Sequence, residues 1–311
     1  MLARLLPRIL PRLTTLAIAL LLGFVLAAHA PGDAFSDLEL DPAISPHTLA
    51  SLRARYAPDQ PVGQRLTAWL GAASHGDMGY SFTFHRPVTT LLRERTPSTA
   101  RLVILAWLLA WSLGVGLAGW AVLSRSTAGA VLRSSLVLAT SALASLPLAM
   151  LAIAALLWAP VQWLPSLLMA PDNTPTWPWL PAAVLALAFL PLTYLQCANA
   201  LALAWEKDFV LTALSQGHRP RYVLWRHAFP NTWDTLLPLA ALTFAQLLAD
   251  AVIVETLLNW PGIGQLAVTA VTEHDVPLVA GLVLLTSVVV VATNMLADFL
   301  QFLSNPRLRM T

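Results

Sequence analysis

Six stretches of this chain, 11–30, 100–123, 134–158, 179–199, 236–258 and 278–303, each have the length and apolar character of a helix that crosses a bilayer. About 20 residues rising ~1.5 Å each cover the hydrocarbon thickness. Hydrocarbon offers a backbone amide no partner, so such stretches satisfy their own polar groups and fold as helices. The chain is 57% hydrophobic and only 11% charged, where a soluble domain carries about 25% charged residues. The expected fold class is all-α: a one-domain polytopic membrane protein with six transmembrane helices.

The distribution of basic residues orients the spans. Arg4, Arg8 and Arg12 precede the first, and Arg125 and Arg133 lie between the second and third. Lys207, Arg219, Arg221 and Arg226 lie between the fourth and fifth, and Arg307 and Arg309 follow the sixth. The connectors 159–178 and 259–277 hold no Lys or Arg. Short loops rich in Lys and Arg stay in the cytoplasm, so both termini are expected to be cytoplasmic. Loop 31–99 then lies outside although it carries Arg53, Arg55, Arg65, Arg86, Arg93 and Arg95, because the rule governs only short loops. Residues 1–30 also resemble a signal peptide, with an Arg-rich start, an apolar run and Ala28-His29-Ala30. Retention gives six spans and is the expectation; cleavage would leave five.

The outer loop carries a helical pair over 45–71, with Leu49, Leu52 and Tyr56, then Leu66, Trp69 and Leu70, at helical spacing. Gly76-Asp77-Met78-Gly79-Tyr80-Ser81 follows as a turn. The loop is read as a cap on the outer ends of the spans, with a docking surface for an external partner as the functional alternative.

Motifs for chemistry are missing from the sequence. It has no GxxxxGK[ST], HExxH or GxSxG pattern, and its lone Cys197 and scattered histidines have no metal-ligand spacing. No catalytic residue, cofactor, metal or nucleic-acid partner is expected. Acids within the spans are few: Asp250 and Glu255 in the fifth and Asp298 in the sixth. Asp250 and Glu255 stand about 140° apart on a helix and do not share a face. Asn294 and Asp298 do share one and suit a structural hydrogen bond. For Asp250, lining a pathway and supporting the bundle are equal readings. A proton- or ion-coupled secondary carrier would use such acids, and is the alternative mechanism.

One hydrophilic stretch, 206–231, interrupts the apolar pattern: EKDFVLTALSQGHRPRYVLWRHAFPN. It is helical in pattern, basic toward its end, and punctuated by Gly217 and Pro230. Its charge places it in the cytoplasm, where a structured loop of this length serves a docking partner or lies on anionic lipid.

Three islands carry a resemblance. The first is Asp208-Phe209-Val210-Leu211-Thr212-Ala213-Leu214-Ser215-Gln216-Gly217, followed by Val223-Leu224-Trp225-Arg226-His227-Ala228, Pro230 and Asn231. The second is Val254-Glu255-Thr256 with Trp260-Pro261-Gly262-Ile263-Gly264. The third is Asn294, Asp298 and Asn305-Pro306-Arg307-Leu308-Arg309. Together with the Gly76–Ser81 turn, they resemble the inner-membrane permease subunits of ABC importers, in the dipeptide, oligopeptide and nickel group. Gly217 and Pro230 match the permease loop motif, while Leu211, Thr212, Leu214 and Gln216 depart from its usual residues.

The resemblance implies a bacterial inner-membrane permease that pairs with a second permease. It implies two cytoplasmic ATPase subunits and an extracytoplasmic substrate-binding protein as partners, and peptide-like cargo moved by alternating access. It makes 206–231 the loop that couples to the ATPase. A short helix near 208–214, ended by Gly217, would present Phe209, Leu211 and Leu214 as an apolar edge to the partner. Trp260, Pro261, Gly262 and Gly264 form the outer turn, read equally as an interfacial anchor with a tight turn or as a mouth of the pathway. The expected layout is an N-terminal span at 1–30, an outer loop at 31–99, a five-helix core at 100–303 and a cytoplasmic tail at 304–311.

Overall fold

The computed structural model describes residues 62–124 and 178–304, together with Thr14, Ala17, Ile18 and residues 21–23, which are helical. The expected span at 134–158, the first helix of the outer pair near 45–56, most of the connector 159–178 and the tail from Asn305 lie outside the described residues.

Four of the described helices are long and apolar enough to cross a membrane: Val88–Leu123, Trp179–Trp205, Pro220–Leu257 and Val276–Gln301. The elements run α1 (Val62–Ser74), β1 (Tyr80–Ser81), β2 (Arg86–Pro87), α2 (Val88–Leu123), α3 (Trp179–Trp205) and α4 (Asp208–Ser215). They continue as α5 (Pro220–Val223), a π-turn (Leu224–Ala228), a 3-10 turn (Phe229–Thr232), α6 (Trp233–Leu257), α7 (Ile263–Thr272) and α8 (Val276–Ser304). The all-α expectation is relieved only by the two-residue strands, which pair antiparallel with Tyr80 opposite Pro87 and Ser81 opposite Arg86.

Helix α2 starts 12 residues before the expected span. Arg93, Glu94 and Arg95 lower the hydropathy of that first stretch, but Val88, Leu91 and Leu92 fall at i, i+3 and i+4 and are all buried. An amphipathic stripe of this kind supports a helix without making it a span. Likewise α7 occupies most of the connector 259–277, where the sequence pattern predicts a turn; ten residues are too few to register as a span.

The chain divides into two compact units, Met1–Thr99 with Pro261–Val291, and Ala100–Trp260 with Ala292–Thr311. In the first, Val88, Leu91 and Leu92 pack with Ile263, Leu266, Ala270, Leu278 and Leu282. Trp69 of α1 packs with Ala280 and donates its indole N–H to the Met78 carbonyl at 3.1 Å. Asp275, directly before α8, is fully buried. Its carboxylate accepts the Leu278 amide at 3.2 Å, capping the helix, and also accepts the Ser81 hydroxyl at 2.5 Å and the Thr83 amide at 3.1 Å.

In the second unit α2 and α3 cross closely. The Thr193 hydroxyl shares its proton among the carbonyls of Ala110, Phe189 and Leu190 at 3.1, 3.2 and 3.0 Å. Gly114 admits this approach: a Cβ there would stand 2.9 Å from Thr193 Oγ1 and 3.2 Å from the Thr193 carbonyl carbon. Leu102, Val103 and Ala106 of α2, Leu185 and Phe189 of α3 and Leu247, Ala251 and Val254 of α6 fill one core. The Trp107 indole N–H ties α2 to the Ala240 carbonyl at 3.0 Å.

Two outcomes follow from this packing. Gly114→Ala overfills the α2–α3 crossing and should cost about 1–3 kcal/mol, read as a lower unfolding temperature in detergent. Burial raises the pKa of Asp275, opposed by its hydrogen bonds to Ser81, Thr83 and Leu278. The folded state therefore holds that proton more tightly than the unfolded chain. The resulting stabilisation is complete below the ordinary carboxylate value of about 4 and is lost as pH rises through the raised value. Unfolding temperature measured against pH should show this fall, and Asp275→Asn should flatten it.

Candidate functional site

The loop between α3 and α6 is built on a short amphipathic helix. Val210 and Ala213 of α4 are buried among Tyr194, Cys197, Leu201, Val223 and Leu224, while Thr212, Ser215 and Gln216 face water. Asp208 opens the first turn, where a carboxylate suits the positive end of the helix. Of the three residues expected to form an apolar edge, Leu211 stands out at 61% exposed. Phe209 and Leu214 are half-buried and lean on the core instead. The helix is short, and its inward face must hold it to the span bundle, so only one large apolar side chain is left over.

Gly217 ends α4. Its φ of +82° is the left-handed conformation that L side chains rarely adopt, and a Cβ at this position would meet nothing within 4 Å. Glycine is therefore required by backbone conformation, not by space. The Gly217 amide bonds the Leu214 carbonyl at 3.0 Å and the His218 amide bonds the Ala213 carbonyl at 3.3 Å. This pair of bonds closes the helix in a Schellman motif.

From Pro220 the backbone stays helical through to Leu257, but it changes pitch on the way. Pro220 at the first helical position loses no bond. Pro230 has no N–H and cannot continue an α-helical ladder. The helix widens before it, where the Phe229 amide reaches back five residues to the Leu224 carbonyl, and tightens after it into a 3-10 turn. Asn231 repairs part of the loss by donating its side-chain amide to the His227 carbonyl at 2.7 Å. Pro230 and Asn231 thus set a pitch defect at the junction of loop and span, a position where such bulges are often functional.

Around this junction lie two ring clusters. His218, Tyr222 and His227 have centroids 5.3, 5.7 and 6.4 Å apart. Trp225, Phe229 and Trp233 stack edge-on at 5.4 and 5.9 Å, with both tryptophans 45% exposed. Arg226 is exposed, as are Lys207, Arg219 and Arg221. The loop therefore offers one leucine, an aromatic ladder and a set of exposed cations on a helical frame.

The pathway and outer-turn candidates sit elsewhere. Asp250 is half-buried on α6 and Glu255 is fully buried, in keeping with their angular separation. Trp260 is not an exposed interfacial anchor: it is 8% exposed and packs in the core with Ala251, Val254 and Leu258. Its amide bonds the Glu255 carbonyl at 2.8 Å, which closes the end of α6. Pro261 is half-buried, whereas Gly262 and Gly264 are buried at the start of α7. There the Ile263 amide donates to Thr99 Oγ1 at 2.7 Å.

Residues 110–310 match the model of the family described as binding-protein-dependent transport system inner membrane component. The chain belongs to that family. The match spans the α4–α6 loop, α7 and α8, and the permease is accordingly a multi-pass protein of the inner membrane. A Brucella abortus (strain 2308) protein named as a peptide transport system permease is 31% identical over 321 residues, with 99% of each chain covered. The oligopeptide transport system permease protein AppB of Bacillus subtilis (strain 168) is 28% identical over 310 residues, covering 96% of this chain and 98% of AppB. A peptide ABC transporter permease protein of Sinorhizobium fredii, y4tP, is 25% identical over 95% of this chain and 96% of its own.

Sequence reasoning found the loop of this permease and its two punctuating residues. It missed the π-turn and α7, although Pro230 and the apolar run from Ile263 were the available signals. If Leu211 serves a partner and not the core, Leu211→Ala should leave stability within about 0.5 kcal/mol of wild type. Val210→Ala, inside the core, should cost about 1–3 kcal/mol. Thermal unfolding of the two variants side by side checks the division.

Proposed function

We propose that this chain is the permease of an ATP-driven importer whose cargo is peptide-like, and that α4 is its coupling helix. The observation that carries this reading is the build of the loop. A water-facing helix is fixed to the bundle by Val210 and Ala213, closed by Gly217, and joined through Pro220–Leu257 to a candidate span. A cytoplasmic ATPase subunit that grips Leu211 and the neighbouring cations can therefore push on that span without first ordering a flexible linker. The relatives named as peptide permeases support the cargo class.

In this reading six helices span the inner membrane, both termini are cytoplasmic, and the outer loop faces a delivery protein. A second permease completes the pathway, with Asp250 and Glu255 of α6 as candidates for its lining. Two ATPase subunits supply the energy, since this chain has no phosphate-binding loop of its own. ATP and loaded delivery protein bias an equilibrium between outward- and inward-open states, each by binding one state better than the other.

Gly217→Asp tests the coupling role. A side chain at φ +82° strains the Schellman turn by about 1–2 kcal/mol and adds a negative charge beside the docking helix. The variant should insert normally and co-purify less ATPase, with substrate-stimulated ATP hydrolysis lost. Wild-type hydrolysis and coupling in that variant would remove α4 from the mechanism. Purification of the tagged wild-type chain should bring down an ATPase pair and a second permease; uptake by the chain alone, driven by an ion gradient, would favour a secondary carrier.

A further inference from the structure

Ser81 and Asp275 lie 194 residues apart in sequence and meet as two fully buried side chains, the hydroxyl donating to Asp275 Oδ2 at 2.5 Å. The same oxygen accepts the Thr83 amide at 3.1 Å, and Oδ1 accepts the Leu278 amide at 3.2 Å. Ser81 Oγ in turn accepts the Phe84 amide at 3.2 Å. One carboxylate thus holds the turn between β1 and β2 and caps α8 at the same time. A second pin, the Ile263 amide on Thr99 Oγ1, fastens the start of α7 to α2. Between the pins, Met78 and Phe84 pack with Val88, Leu266 and Leu278, and Gly281 lets α8 press against Val88, where a Cβ would come within 2.7 Å.

We propose that Asp275 is a positioning residue, a clasp that stays closed through the transport cycle and makes the β1–β2 ribbon, α7 and the head of α8 one moving piece. Opening the clasp would leave a carboxylate and two amides without partners in a site closed to water, which is far costlier than turning the piece as a whole. The outer end of the permease then changes state by rigid rotation, with the bending placed elsewhere in the chain. The inference rests on the transport cycle proposed above.

The test uses the assembled complex in liposomes and the double variant Ser81→Cys, Asp275→Cys. With its thiols reduced, the variant lacks the carboxylate and the hydroxyl, and uptake should fall about tenfold. Oxidation replaces the clasp with a disulfide and should restore uptake to within about twofold of wild type. Wild-type uptake from the reduced variant would show that the clasp positions nothing. Uptake that stays low once mass spectrometry confirms the disulfide would show that the clasp has to open. Either result overturns the proposal. Hydrogen exchange on the wild-type complex decides the question even if the variant does not assemble. The Thr83 and Leu278 amides should exchange equally slowly with and without ATP and loaded delivery protein. Acceleration of about tenfold or more in either condition would mean that the clasp opens. Wild-type uptake that is independent of ATP would instead sink the importer reading, while the exchange rates would still tell whether the clasp opens.

Discussion

A backbone amide in hydrocarbon has no water to bond, and the rest of this permease follows from that constraint. It forces the apolar stretches into helices and makes every interruption of a helix a problem to be solved locally. Pro191 and Pro238 sit inside α3 and α6, where each removes an N–H from the ladder. Thr193, two residues after Pro191, spreads one hydroxyl proton over three carbonyls, one of them on α2. Local repair and helix–helix contact are therefore the same interaction. Gly114, Thr193 and Ala110 give the α2–α3 crossing its closeness.

The same constraint explains why the chemistry of the loop collects where it does. Outside the hydrocarbon, water can satisfy the backbone, so the chain is free to break pitch at Leu224–Ala228 and again at Phe229–Thr232. Pro230 is tolerated there, and Asn231 covers one freed carbonyl. The pitch defect separates the docking helix from the span while keeping the backbone helical throughout. A loop so built can yield at one place and still transmit displacement, which a glycine-rich linker of equal length would not do.

Much of this architecture was legible in the sequence. Spans at 179–199, 236–258 and 278–303 each correspond to a described helix, because runs of apolar residues leave no alternative to helix in lipid. Gly217 and Pro230 marked the ends of the loop, because each acts through its own backbone and needs no neighbour. The side-chain assignments were less legible. Phe209, Leu211 and Leu214 are equally apolar as letters, yet contact with the core around Tyr194, Leu201 and Leu224 holds Phe209 and Leu214 and leaves Leu211 exposed. Trp260 looked like an interfacial anchor, since tryptophan favours that depth, but the turn after α6 folds it into the core.

By itself the sequence determined the class of the molecule, the positions of its helices and the two residues that frame its loop. These are properties of local composition and backbone freedom, and they need no knowledge of what lies opposite. Only the tertiary structure decided which faces are buried and which distant residues meet. Ser81 and Asp275 are ordinary turn and cap residues when read along the chain. Brought together by the packing of Val88, Leu266 and Leu278, they become one buried hydrogen-bonded site, because a carboxylate sealed from water takes its partners from whichever elements the fold places beside it.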